Sequence, residues 1–205
     1  MTPIDIIKDS LLKDRLSHLY LLIGNQGDYR DQVILEIVQT LVLGSNSTKS
    51  ELIEKQKVMW VESETQVIKK EQIQQLFNEF SKTSLQNQRK VYVIEDAEKL
   101  NASSANTLLK FMEEPDSKTS VGILVTNNQQ SLLDTIVSRS HILKIIEPSI
   151  KERKERFQSL ALTPLEADVF SILYQDKNDV LVALENPLIQ EMIIFFKHIV
   201  IEKHT

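Results

Sequence analysis

The feature that most constrains this chain is an alternation. Five short, predominantly apolar runs at residues 19–23, 58–61, 91–94, 121–126 and 142–146 are separated by segments whose apolar residues recur at helical spacing. A strand that is apolar on both faces is covered on both faces, and such strands pair in parallel. Parallel neighbours cannot be joined by a tight turn. Each needs a crossover of a dozen or more residues, usually a helix. The expectation is an α/β chain, with a five-stranded parallel sheet sandwiched by helices.

The intervening segments supply those helices. Residues 4–12 carry Ile4, Ile7, Leu11 and Leu12 on one face, and residues 28–42 carry Val33, Ile34, Ile37, Val38 and Leu41. Residues 44–50 read as loop. Residues 69–80 turn Ile73, Leu76, Phe77 and Phe80 inward, and residues 102–113 do the same with Ala105, Leu108, Leu109 and Met112. Asn101 and Ser103 are available as caps, and Pro115 ends that helix. A short helix at 132–136 leads to the fifth run. Beyond Glu147 and Pro148 the pattern is helical only, at 150–160, 164–174, 179–184 and from 187 onward. The expected division is a sheet domain over 1–148, a small all-α lid over 149–186, and a further segment over 187–205.

In that last segment, ten of the fourteen residues at 188–201 are apolar, and Gln190, Glu191, Lys197 and His198 leave only a narrow wet stripe. A helix apolar nearly all round belongs in a core. Residues 149–186 are too few to cover it, so 187–205 reads as the opening of a third helical domain that is cut short. Self-association is expected through Ile193, Phe196 and Ile199.

Composition removes several function classes. The 205 residues carry a net charge of −5, so the chain has no general electrostatic pull toward DNA. Lys151, Arg153, Lys154 and Arg156 are interleaved with Glu152 and Glu155 and read as a solvated helix face. With no cysteine there is no disulfide and no thiolate zinc site. The four histidines are scattered, without metal-ligand spacing, so no metal is expected. No apolar run reaches the ~18 residues of a membrane span, and Asp5, Lys8 and Asp9 rule out a signal peptide in the opening turns. A cytoplasmic protein is expected.

Sites on parallel sheets lie at the carboxyl ends of the strands. After the first run comes Gly24-Asn25-Gln26-Gly27-Asp28-Tyr29-Arg30-Asp31. Set on the phosphate-loop pattern G-x-x-x-x-G-K-[ST], Gly24 fits. The second glycine is Tyr29, the lysine is Arg30 and the hydroxyl residue is Asp31. A Cβ at 29 blocks close backbone approach to phosphate. Arginine presents a broad fork instead of a compact ammonium. Asp31 sets an anion where the helix N-terminus should receive one. After the third run stand Glu95 and Asp96, an acidic pair in the reverse of the order that holds Mg²⁺ and polarises water.

The segment Asn101 to Pro115, NASSANTLLKFMEEP, resembles the pattern A-A-N-A-L-L-K-x-L-E-E-P of the bacterial clamp-loader family, AAA+ subunits of the DNA polymerase III assembly. The matching residues are Ala105, Asn106, Leu108, Leu109, Lys110, Glu113, Glu114 and Pro115. Thr126 and Asn127 fall at the family's sensor 1 region, and Ile136-Val137-Ser138-Arg139-Ser140 resembles its S-R-C motif. The resemblance implies a P-loop NTPase-like sheet, and by matching position it makes Arg139 an arginine finger. Such a residue reaches the γ-phosphate held by a neighbouring subunit and speeds phosphoryl transfer by roughly 10³ to 10⁵ in well-studied GTPases.

Departures from the pattern sort the chain within that family. The damaged phosphate loop points away from the gamma and tau motors and toward the non-hydrolysing delta-prime class. There is no four-cysteine zinc module at 43–57, no sensor 2 arginine near 178–183, and Ser140 replaces the cysteine of S-R-C. What the resemblance implies is a stator without tight ATP binding, in a hetero-pentamer with gamma or tau ATPases and a delta subunit, touching the sliding clamp and primed DNA only indirectly. The competing readings are an active gamma-type ATPase, a P-loop-like interaction module with Arg139 incidental, and a DNA-binding module. The acidic balance and the lack of an aromatic-basic stripe lower the last.

Overall fold

The computed structural model describes residues 1–42, 47–62, 65–82, 89–113, 120–174 and 177–202, and divides into two compact units, Met1–Ile145 and Ile146–Thr205. The five apolar runs become β1 (Leu19–Ile23), β2 (Val58–Val61), β3 (Lys90–Ile94), β4 (Ser120–Thr126) and β5 (His141–Lys144). All pairings are parallel, in the order β2-β3-β4-β1-β5. The expected α/β sheet is the one observed. Consecutive strands β1 and β2 are not neighbours, so the chain crosses the sheet and returns. The vacated place beside β1 is filled by β4.

Helices α1 (Pro3–Leu12), α2 (Asp28–Leu41), α3 (Lys49–Glu54), α4 (Lys70–Lys82), α5 (Ala102–Met112) and α6 (Asp134–Val137) complete the first unit. One core cluster joins Ile7, Val33, Ile34, Ile37, Val38, Leu41 and Leu52 to Tyr20, Leu22, Val91, Val93, Ile123 and Val125. The other joins Ile73, Leu76, Phe77, Ala105, Leu108 and Phe111 to Leu19, Leu21, Tyr92, Ile94 and Leu124. The two clusters use alternate residues of the same strands, as a period of two demands of a sheet covered on both faces.

Four details differ from the sequence reading. Leu12 is 87 % exposed, and Ile6 packs on the core in its place. Helix α3 begins inside the stretch read as loop. It is nucleated by a capping box in which Thr48 accepts from the Glu51 N–H and the Glu51 carboxylate accepts from the Thr48 N–H. Phe111, absent from the expected inward set, is buried against Phe77 with ring centroids 3.5 Å apart. The fifth strand starts and ends earlier, leaving Ile146 76 % exposed. The side chain of Phe80, and Glu114 and Pro115, lie outside the described residues.

The second unit is helical, with α7 (Ile150–Phe157), α8 (Pro164–Leu173), α9 (Lys177–Glu185) and α10 (Pro187–Glu202). Ser149 with Glu152, and Thr163 with Glu166, form capping boxes that start α7 and α8. Phe157, Phe170, Val180 and Ala183 make a small core, and Ile189 and Ile193 of α10 pack against it. Ile193 is therefore an inward residue. The exposed apolar side chains of α10 among the described residues are Leu188, Met192, Ile194 and Phe195, while the side chains of Phe196 and Ile199 lie outside the described residues.

Candidate functional site

The carboxyl ends of the first four strands bring together Gly24, Glu62, Glu95, Asp96 and Asn127, because each directly follows its strand or lies one residue beyond. The loop after β1 is anchored by the Gly24 N–H, which donates to the Thr126 carbonyl at 3.0 Å. A Cβ on Gly24 would sit 2.9 Å from the Ile145 Cβ, so the close approach itself requires glycine. Gly27 caps α2 with φ +152°, a conformation open to glycine and strained for other residues. Local geometry thus keeps a tight strand-to-helix turn at 24 and 27. The position that would follow the loop's last glycine, Arg30, is charged and buried.

Arg30 is 6 % exposed, and its guanidinium faces the acidic pair beyond β3. Its Nη2 lies 3.5 Å from Glu95 Oε2, its Nη1 3.8 Å from Asp96 Oδ1, and its Nε donates to Asp31 Oδ1 at 3.0 Å. Each carboxylate has further partners. Glu95 Oε1 accepts from Lys49 Nζ at 2.8 Å and from Trp60 Nε1 at 2.6 Å. The Lys49 ammonium lies 4.2 Å above the Trp60 ring and also pairs with Glu62. Asp96 Oδ1 accepts from Gln26 Nε2 and Asp96 Oδ2 from Lys99 Nζ, both at 3.0 Å. Burial pushes the Asp96 carboxyl up. The Lys99 and Gln26 hydrogen bonds, helped by the Lys99 and Arg30 charges, outweigh it and hold the group below its ordinary value.

The residues read from sequence as phosphate loop and acidic pair therefore meet as ion pairs, although Arg30 Nη1 is buried without a hydrogen-bond partner. Three cations and one indole N–H converge on two carboxylates. The N-terminus of α2, where a phosphate would bind, carries Asp28 and Asp31 in its first turn. Tyr29 packs on the core cluster of α2. Thr126 is fully buried and its hydroxyl accepts from the Asn128 N–H at 3.0 Å, while Asn127 is exposed. Lys49, Trp60, Gln26 and Lys99 were missed by sequence reasoning. The capping box at Thr48 was the one available signal, since it sets Lys49 at the first turn of a helix.

Arg139 stands elsewhere. It follows α6 and precedes β5, and β5 opens where His141 pairs with Tyr20, the second residue of β1. In a wholly parallel sheet this is the amino end, opposite the loop at Gly24. Arg139 therefore lies at the other end of the sheet from Gly24, Glu95 and Asp96. Its side chain is 44 % exposed, with Nη1 donating to the Thr135 carbonyl at 3.2 Å and Nη2 lying 3.5 Å from Glu113 Oε1. The Ser140 hydroxyl donates to the Ile136 carbonyl at 2.7 Å and closes this turn.

Comparison with known proteins gives a consistent picture. A family model described as DNA polymerase III, delta subunit, matches residues 2–149. A DNA polymerase III subunit delta' of Bacillus subtilis is 38 % identical over 148 residues, covering 67 % of this chain and 45 % of that protein. The subunit delta' of Pseudomonas aeruginosa is 39 % identical over 72 residues, covering 35 % of this chain and 22 % of that protein. The chain thus spans less than half the length of these curated relatives. Among solved structures, a DNA polymerase III gamma subunit-related protein of Thermotoga maritima superposes with a TM-score of 0.59 at 23 % identity, covering 85 % of this chain and 59 % of the other. The Holliday junction branch migration motor RuvB of the same organism superposes with a TM-score of 0.54 at 22 % identity, covering 80 % and 52 %. At these identities the structural likeness speaks to the fold.

Proposed function

Because this chain belongs to the DNA polymerase III delta-subunit family, we propose that it is a delta-prime-type clamp-loader subunit, a stator that hydrolyses no ATP and lends Arg139 to the ATP site of a neighbour. The observation that carries this reading is the placement of its two key arginines. Arg30 sits in the position of the phosphate-loop lysine, yet it is buried against Glu95 and Asp96. Arg139 is exposed at the opposite end of the sheet. A chain built this way has the end of the sheet that carries Gly24 occupied by protein charge, and its exposed arginine at the other end.

The partners follow from the same reading. The chain assembles with gamma or tau ATPases and a delta subunit in a hetero-pentamer, and meets the sliding clamp and primed DNA through that assembly. It needs no bound nucleotide or metal of its own. A guanidinium across the subunit boundary stabilises charge on the transferring phosphoryl group without any chemistry by this chain.

The test is reconstitution with the ATPase and delta subunits. Arg139→Ala should assemble normally, since the side chain is exposed, and should slow ATP turnover at the one site it faces. Unchanged ATPase and clamp loading would remove the finger assignment. The isolated chain should give no Mg²⁺-dependent micromolar binding in a fluorescent-ATP titration. Such binding would favour the active-ATPase reading instead.

A further inference from the structure

We propose that Glu113 is a positioning residue for Arg139, holding the guanidinium in the orientation it presents to a neighbouring subunit; this rests on the reading of Arg139 as a finger in trans. The Arg139 side chain is held at two points, by the Thr135 carbonyl at 3.2 Å and by Glu113 Oε1 at 3.5 Å. Both anchors are launched from fixed backbone. Thr135 lies in α6, whose last turn is closed by the Ser138 N–H on the Asp134 carbonyl at 2.8 Å and is pinned to the core by the fully buried Ile136. Glu113 is the C-cap of α5, its N–H donating to the Leu109 and Lys110 carbonyls at 3.3 and 3.2 Å, two residues beyond the buried Phe111.

The arrangement suits positioning better than occlusion. An arginine has five N–H donors; the Thr135 carbonyl takes one on Nη1, while Glu113 meets Nη2 as an ion pair only. The other donors remain for an incoming anion. The contact to Glu113 is a single ion pair at 3.5 Å, not a bidentate fork, so it orients the group without sealing it. Fixing a long, rotamer-rich side chain beforehand removes ordering entropy that would otherwise be lost at the moment of engagement. Glu113 is itself 65 % exposed and has no part in either core cluster, so packing does not account for its place.

The experiment uses the full chain assembled with its ATPase and delta subunits, and steady-state ATPase is measured as kcat and KM for ATP. Glu113→Ala should lower kcat about two- to five-fold, the rate equivalent of what an exposed ion pair supplies, with KM unchanged. Glu113→Gln, which keeps an acceptor oxygen, should recover at least half of the loss. In an Arg139→Ala background, Glu113→Ala should have no further effect. Unchanged or faster turnover in Glu113→Ala, or an equal loss in the Arg139→Ala background, overturns the positioning role while leaving the finger in place. If Arg139→Ala alone changes nothing, the finger reading falls and the positioning role with it.

Discussion

Arg30 shows how one buried residue can tie a strand-end loop to the acidic pair beyond another strand. A guanidinium built into α2 stands between Glu95, Asp96 and Asp31. Removing one partner of a buried ion pair leaves uncompensated charge and costs about 3–5 kcal/mol. Glu95 keeps Lys49 and Trp60, and Asp96 keeps Lys99 and Gln26, which softens the loss. Arg30→Met is therefore expected to lower stability by about 2–4 kcal/mol, read as a lower urea midpoint at neutral pH. The network also predicts a pH dependence. The Asp96 carboxyl is held below its ordinary value, so it contributes stability that is complete above its unfolded pKa of about 4 and is lost as pH falls through the folded value. Urea midpoints should fall on acidification below about pH 4, and Asp96→Asn should flatten part of that slope. An identical slope in the variant would show that other carboxylates carry it. The unusual loop residues were legible in the sequence as departures from a pattern. The direction in which Arg30 points was not, because a side chain turns toward whichever charges the fold sets near it.

At the scale of elements, the sheet is held by close approach as much as by hydrogen bonds. Gly122 in β4 is buried beneath the Tyr92 ring, and a Cβ there would overlap that ring and come within 2.8 Å of Leu19 Cδ1. Tyr92 is fully buried, which pushes its phenol above the ordinary range, and it packs edge-on against Phe77 and Phe111. It has no room to retreat. Gly122→Ala should destabilise the first unit by about 2 kcal/mol or more, an overpacking effect, seen as a lower denaturation midpoint with an unchanged dependence on denaturant. A neutral result would mean that the Tyr92 ring moves aside freely. Helix existence was legible from the apolar period and, for α5, from the cap at Asn101; the boxes at Ser149 and Thr163 were not read. Helix α3 was not read, although Thr48 and Glu51 carry the same signature, because a six-residue helix has too few apolar residues to show a period.

At the scale of the whole molecule, both large core clusters lie entirely within residues 1–145. Residues 1–145 alone should therefore fold, and should unfold in one cooperative transition by circular dichroism and tryptophan fluorescence. Non-coincident transitions or an absent near-ultraviolet signal would show that the second unit is needed. In that unit α10 leaves Leu188, Met192, Ile194 and Phe195 exposed, with Phe195 at 63 %. Paired substitution of Met192 and Phe195 by lysine should reduce light scattering of the full chain at micromolar concentration. No change would place the sticky surface elsewhere.

The sequence by itself determined the layers of this protein. Five apolar runs separated by helix-length segments allow parallel strands joined by crossovers, and the residues at 24–31, the order of Glu95 and Asp96 and the segment from Ala105 to Glu113 were readable because each is local, a matter of residues a few positions apart. Strand order, and with it the geometry of the site, was decided only in three dimensions. Nothing in a one-dimensional pattern says that β4 fills the place beside β1, or that Lys49 and Glu95, 46 residues apart, will share a hydrogen bond. The same holds for Arg139. Its motif was visible in the chain, but its position opposite the Gly24 loop follows from the parallel pairing of β5 with β1, which is a property of the assembled sheet.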